Sequence, residues 1–408
     1  MQSQSENTNV PSEESSLIST IKLMSRIFIY LSYLVGATVL CFIGMEIVSC
    51  FLLYVKGSPA DVIDERAFSS VYSDLEEAKD YYKELTNLRV RFNSSRGMVY
   101  SPYEIWHNRD FAGKYINIKD GKRIPLHNPC VSYKSKKIFF FGGSTMWGDG
   151  VPDSHTIPSL VAKELANNPT QKLDYCVTNY AERAYCLYQE FIRLTKILEK
   201  GEKPDIAIFL DGLNEGGTAF QSGRAGLHYD VAEITERLGR MSGANLVSLR
   251  WLLRSTNTCQ VAGAIKNSLF TQPKKQSLAI KQQKILAHEV CDSYQVTKLH
   301  IELLARKYGF KTLFIWQPYL SPQLKRVSKE ENLVLLKGTY QKCLEFIKLV
   351  YSEMQQRIET LSIRGVHDLS RVFIDNEKTL YVDPMHLGPE GNSFIAREIT
   401  RLIMEMDG

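Results

Sequence analysis

Residues Lys136–Gly148 read KKIFFFGGSTMWG. A short apolar run ends on two glycines and then a serine. Runs of this length, bounded by glycine, fit a strand buried on both faces. The pattern recurs at Tyr175–Tyr180 (YCVTNY), Asp205–Leu210 (DIAIFL) and Thr312–Gln317 (TLFIWQ), with a weaker fifth run at Gly365–Leu369. Between these runs lie stretches of helical spacing, at 157–166, 187–200, 287–308 and 332–361. Gly201 and Pro204 stop one helix just ahead of the third run. Strands alternating with helices predict an α/β protein: a parallel sheet with helices on both faces.

The chain has 408 residues, 44% hydrophobic and 23% charged, which excludes a disordered or fibrous protein. A net charge of +5 over that length lacks the dense basic patch that a nucleic-acid partner needs. The cysteines form no CxxC pair and no Cys/His ligand spacing, so no structural zinc site is predicted. Cys41 and Cys50 lie in an apolar stretch. Cys130, Cys176, Cys186, Cys259, Cys291 and Cys343 are scattered and read as buried small side chains.

Residues 1–26 are expected to form a disordered polar tail. Residues 27–55 then carry a single charge, Glu46, and are predicted to form a transmembrane helix, since about 20 apolar residues span a bilayer core. Arg26 and Lys56 bracket the span, with Tyr30, Tyr33 and Tyr54 suited to its interfaces. Lys22 and Arg26 before it balance Lys56 and Arg66 after it, so charge does not orient it. Glu46 is costly in lipid and points to an interface or a partner helix. Residues 56–112, with Leu75, Ala78, Tyr82 and Leu85 at helical spacing, read as a juxtamembrane stalk. The main domain is expected over 113–408. It opens with a hairpin turned by Asp120-Gly121 and is interrupted by an insertion at about 218–286.

Three blocks carry chemistry. The first is Gly142-Gly143-Ser144, at the end of the first strand, where open α/β sheets bind ligands. It is neither a GxxxxGK[ST] phosphate loop nor a GxGxxG dinucleotide loop. The second is Asp211-Gly-Leu-Asn214-Glu-Gly216, past the third strand; Asn214 there is either an amide donor or a turn residue. The third is Asp383-Pro-Met-His386, ahead of a terminal helix. A nucleophilic serine needs an imidazole base within about 3 Å and a carboxylate to orient it. His107, His127, His155, His288 and His300 accompany no such block, His228 lies in the insertion, and His367 marks the fifth strand.

Together these blocks resemble the SGNH hydrolases, the GDSL-type esterases. The resemblance covers roughly residues 113–405 and includes GKYINI and Asp153–Ser159. It implies a flavodoxin-like three-layer α/β/α sandwich with a five-stranded parallel sheet, here behind one N-terminal transmembrane helix. It implies Ser144 as nucleophile, His386 as base and Asp383 as orienting acid. It also implies an oxyanion hole from the amides of Ser144 and Ala181 and the side chain of Asn214. Ala181 stands where the family has an oxyanion-hole glycine, and Ala184 replaces a second frequent glycine. No metal or organic cofactor is implied.

The expected activity is hydrolysis of an acyl or acetyl ester, on a carbohydrate or lipid. Two rivals use the same residues. One is a membrane-tethered acyltransferase that modifies a polysaccharide with a multi-span membrane partner. The other is a glycan-binding module with a decayed site, favoured by Ala181 and Ala184. Single-span members of the family place the domain outside the cytoplasm, the periplasm in a bacterium.

Overall fold

The computed structural model describes residues 13–56, 63–90, 98–128, 130, 135–167, 174–241, 256–259, 261–262, 279–337 and 340–407. It divides into two compact units. One joins Met1–Ser58 to Met241–Lys275; the other joins Pro59–Arg240 to Gln276–Gly408.

In the first unit, helix α1 runs Glu13–Lys56, so residues 13–26, expected to be disordered, are helical and continue the apolar span. Its segment Leu17–Leu52, with mean hydropathy 2.1, is exposed, apolar and long enough to cross a bilayer. The Glu46 carboxylate accepts the backbone N–H groups of Asn257 and Thr258 at 2.9 and 2.8 Å. This acid therefore finds its partners within the chain. Part of the expected insertion (242–255, 260 and 263–278) lies outside the described residues.

The second unit begins with α2 (Leu75–Val90) and the hairpin β1–β2 (Met98–Ser101, Ile105–Asn108). A small antiparallel sheet follows: β3 (Phe111–Ala112), β4 (Asn117–Lys119) and β5 (Lys122–Arg123). Asp120 and Gly121 turn β4 into β5 with φ of 52° and 71°, as a two-residue hairpin loop requires. Then come β6 (Lys136–Gly142), α3 (Ser144–Trp147), α4 (Ile157–Ala166), β7 (Tyr175–Asn179), α5 (Leu187–Glu199) and β8 (Ile206–Asp211). After them lie α6 (Leu213–Ser222), α7 (Val231–Met241), α8 (Ile280–Tyr308) and β9 (Lys311–Trp316). The chain ends with α9 (Lys329–Leu336), α10 (Gln341–Glu359), β10 (Val366–Asp368) and α11 (Pro389–Asp407). The stretch expected as one helix over 332–361 is two, α9 and α10, with Gly338 between them in sequence.

The central sheet runs β10-β9-β8-β6-β7, and every pair is parallel. Counted from β6, this is the flavodoxin-like order, with the topological switch between β6 and β8. Successive side chains point to opposite faces. Ile138, Phe140, Ile208 and Ile315 pack on one face with buried residues of α2, α4 and α11. Phe139, Phe141, Phe209 and Phe314 pack on the other with α5, α8 and α10. Phe209 is fully buried and stacks between Phe141 and Phe314, with ring centroids 4.9 and 5.0 Å away.

Two expectations are corrected here. Residues 63–90 and 98–112 do not form a separate stalk. Ala67, Tyr72, Tyr81, Tyr82, Leu85 and Leu88 are buried in the same cluster as the sheet. The Glu84 carboxylate accepts the N–H groups of Lys114, Tyr115 and Ile116. Helical spacing reveals the apolar stripe of α2 but not the surface that covers it. Nor are all the scattered cysteines unpaired: Cys130 and Cys176 form a disulfide, Cα–Cα 4.7 Å, beside edge strand β7. The Asn128 side chain also pairs with the Val177 backbone, donating from Nδ2 at 2.6 Å and accepting at 2.8 Å. This covers part of an edge that would otherwise present unpaired groups.

Replacing Phe209 by alanine removes the middle ring of the stack. The expected loss is about 3–5 kcal/mol of unfolding free energy, read by urea denaturation with tryptophan fluorescence. A change below about 1 kcal/mol would contradict the packing described.

Candidate active site

The glycine pair after β6 forces a sharp turn, and Ser144 opens α3 directly past the sheet edge. Gly143 is there because Asn214 is close. A Cβ at 143 would lie 2.1 Å from Asn214 Nδ2, nearer than any side chain tolerates. Asn214 sits in the first turn of α6, just after β8. Ser144 and Asn214 thus flank the β6/β8 switch point, where this topology opens a crevice.

The third side chain arrives from a tight loop. Tyr381 and Leu387 form a bridge, and Val382 N–H donates to His386 O at 3.0 Å. Within that loop the Asp383 carboxylate accepts the Met385 and His386 backbone amides, both at 2.9 Å. His386 Nδ1 lies 2.9 and 2.8 Å from the two Asp383 oxygens. Its Nε2 lies 2.7 Å from Ser144 Oγ. All three side chains are half-buried. Serine, imidazole and carboxylate are in hydrogen-bonded sequence, the arrangement nucleophilic catalysis requires.

The expected oxyanion donors are not all at this site. Ala181 is fully buried, and its N–H donates to the Asn179 side chain at 3.0 Å. Ala184, not Ala181, borders the cavity beside Ser144 and Asn214. Its φ of 64° is the left-handed conformation that glycine adopts freely and alanine at about 1–2 kcal/mol. Neighbouring contacts impose that conformation. The buried Glu182 carboxylate accepts Asn108 N–H, Asn108 Nδ2 and Arg183 N–H. Trp106 Nε1 donates to Arg183 O at 3.0 Å, and the Tyr185 hydroxyl donates to Trp106 O. Asn214 Nδ2 donates one hydrogen to Tyr185 O at 2.6 Å and has a second to offer.

One charged residue at the site carries no motif. Arg66 Nη1 donates to Asp383 Oδ2 at 2.9 Å and to Asp149 Oδ1 at 3.3 Å. Its only sequence signal is a charged triplet, Asp64-Glu65-Arg66, following the apolar run. A cavity of about 840 Å³ opens over Ser144. Leu333, Val334 and Leu344 give it an apolar wall, with Phe68 and Met98 contributing from the N-terminal region.

Burial alone would raise the Asp383 pKa; the His386 and Arg66 charges and the amide donors bring it well below the usual carboxylate range instead. Burial would lower His386, but Asp383 and then Asp149 raise it above the ordinary 6.5, against an opposing push from Arg66.

No family model matches the sequence, and no curated protein does. Among solved structures the chain is similar to an acetyl xylan esterase, at 15% identity over 65% of this chain and 99% of that one, TM-score 0.33. It is similar to a lipase/acylhydrolase from Enterococcus faecalis, at 13% identity over 66% and 95% of the two chains, TM-score 0.32. It is also similar to a carbohydrate acetylesterase from Sinorhizobium meliloti, at 12% identity over 67% and 100%, TM-score 0.33. Likeness at this level assigns no activity.

The opposed shifts can be seen directly. With 13C-labelled histidine, the His386 ring is expected to titrate with a midpoint above 6.5, while burial holds His155 and His367 below it. Asp383→Asn should bring the His386 midpoint down. A His386 midpoint below those of His155 and His367 would contradict the contact with Asp383.

Proposed function

We propose that this chain is a membrane-anchored serine ester hydrolase that cleaves acyl or acetyl esters of carbohydrates or lipids. Supporting this reading above all is the Ser144–His386–Asp383 chain of contacts at 2.7 and 2.8 Å, at the mouth of a large cavity. His386 Nε2 takes the Ser144 proton as Oγ attacks the acyl carbonyl carbon. Asp383 stabilises the imidazolium. The amides of Ser144 and Ala184 and the free hydrogen of Asn214 Nδ2 are the donors nearest the forming oxyanion. Each such donor typically contributes about 3–4 kcal/mol. The intermediate collapses, and the leaving alkoxide takes the proton from His386. Water, deprotonated by His386, then attacks the acyl-enzyme; the acid leaves and the Ser144 hydroxyl is restored.

The left-handed backbone at Ala184 favours a working site over a decayed one, because alanine there keeps the conformation of the glycine it replaces. Anchoring rests on the exposed apolar helix α1. An extracytoplasmic domain is supported by the Cys130–Cys176 disulfide, since such bonds persist in oxidising compartments.

The full chain in detergent is expected to react with a fluorophosphonate probe, and Ser144→Ala is expected to abolish that labelling. Turnover of short acyl esters should fall by about 10⁴-fold or more in the same variant. Equal labelling of the two proteins would rule out Ser144 as the nucleophile.

A further inference from the structure

Arg66 follows soon after the apolar helix ends at Lys56, yet its guanidinium lies on the carboxylate of the candidate triad. Four contacts fix it there. Nε and Nη2 grip Asp64 at 3.1 and 2.8 Å. Nη1 bridges Asp149 and Asp383. The guanidinium carbon sits 5.0 Å from the Tyr82 ring centroid, a cation–π contact supplied by α2. Tyr82 is itself tied to Tyr72 at 2.9 Å, and Tyr72 donates to Gly150 O in the loop behind Ser144. The Arg66 side chain is only 17% exposed.

The division of Asp383 is informative. Oδ1 takes the two amides of its own loop, and Oδ2 takes Arg66; His386 Nδ1 lies within reach of both. Arg66 is therefore the one contact to Oδ2 from outside the loop among the described residues. It also places a cation between carboxylates that would otherwise face one another, Asp383 and Asp149, with Asp64 behind.

We propose that Arg66 is a positioning residue for the Asp383–His386 pair: by bridging Asp383 to Asp149 it fixes the carboxylate that orients the base, and so makes the juxtamembrane segment part of the active site. The proposal rests on the hydrolase reading above. Charged groups facing His386 are Asp383, Asp149 and Arg66; those facing Arg66 are Asp64, Asp149 and Asp383, with the Tyr82 and Tyr72 hydroxyls alongside. Removing the cation leaves only anions beside the imidazole, which then binds its proton more tightly. The sign follows: the acid limb of activity, where His386 must lose that proton, moves to higher pH.

The test measures fluorophosphonate labelling rates of the full chain in detergent across pH. It uses the wild type, Arg66→Gln, Arg66→Lys and Ser144→Ala. Arg66→Gln is expected to label at least about tenfold more slowly at its optimum. Its acid limb is expected to rise by about one pH unit. Arg66→Lys keeps the charge and loses the forked geometry, so its limb should stay near that of the wild type while its rate falls. A residue that merely stabilised the fold would lower the amount of active protein without moving the limb. Wild-type rate and an unmoved limb in Arg66→Gln would overturn the proposal. If that variant does not accumulate, Arg66→Lys decides alone, and labelling at the wild-type rate overturns it. Labelling that survives Ser144→Ala sinks the hydrolase reading instead, so the two failures are distinguishable.

Discussion

Five strands that all point one way put every strand-to-helix turn on the same edge of the sheet. Burial on both faces enforces this arrangement here. Ile206–Leu210 (IAIFL) is apolar and buried throughout, so β8 must have helices above and below it, and helices above and below require crossover connections. Ser144 after β6 and Asn214 after β8 are neighbours for that reason, although 69 residues of unrelated sequence separate them. The clash that any side chain at 143 would make with Asn214 shows how little room the switch point leaves. His386 joins them from the far end of the chain, on a loop that supplies most of its own hydrogen bonds.

What the sequence made legible follows the same physics. An apolar strand has a local signature, and all five were readable as runs, although edge strands β7 and β10 are only partly buried. The residues of the Ser144–His386–Asp383 hydrogen-bonded chain were readable too, because they sit in short blocks whose residue types are chemically constrained. Contacts made at a distance were not readable. The α2 stripe of Ala78, Tyr82 and Leu85 fits a free spacer as well as a packed helix until Tyr115 and Ile116 are seen against it. Cys130 and Cys176 have no spacing that betrays a bond. Which alanine borders the cavity was unreadable for a subtler reason. Two alanines stand in the Asn179–Tyr185 turn, and only the φ of 64° at Ala184 separates the one in a glycine conformation from its neighbour.

Electrostatics at the site contrast with those on the other side of the sheet. Glu190, Asp211 and Glu215 are buried carboxylates, and burial pushes all three upward; mutual repulsion adds to this for Glu190 and Asp211. Glu182 also rises with burial, even beside Arg193 and Arg183. Asp383 is half-buried and moves the other way, because its ring partner and a guanidinium at 2.9 Å outweigh the lost hydration. Desolvation is similar in kind at all of these positions. Charges in direct contact set the direction of the Asp383 shift, and an ionised Asp383 can stabilise an imidazolium.

Arg66 and the strained turn at Ala184 share an origin. Asn108 and Trp106, which hold Glu182, Arg183 and Tyr185 in place, come from the hairpin at 98–108. Arg66 comes from the turn ahead of α2. Both lie N-terminal to the region that carries every family-like block. An alanine in a left-handed conformation persists only where its surroundings over-determine it. At Asp383 and Asp149 the cation of Arg66 lies between two carboxylates. In each case the residue bearing the strain belongs to the α/β domain, and the residue that relieves it belongs to the preceding segment. Residues 63–90 and 98–108 thus pack with the α/β domain and are not a spacer. Motifs mark Ser144, Asp383 and His386, and Arg66, Trp106 and Asn108, which carry no motif, contact the loops around them.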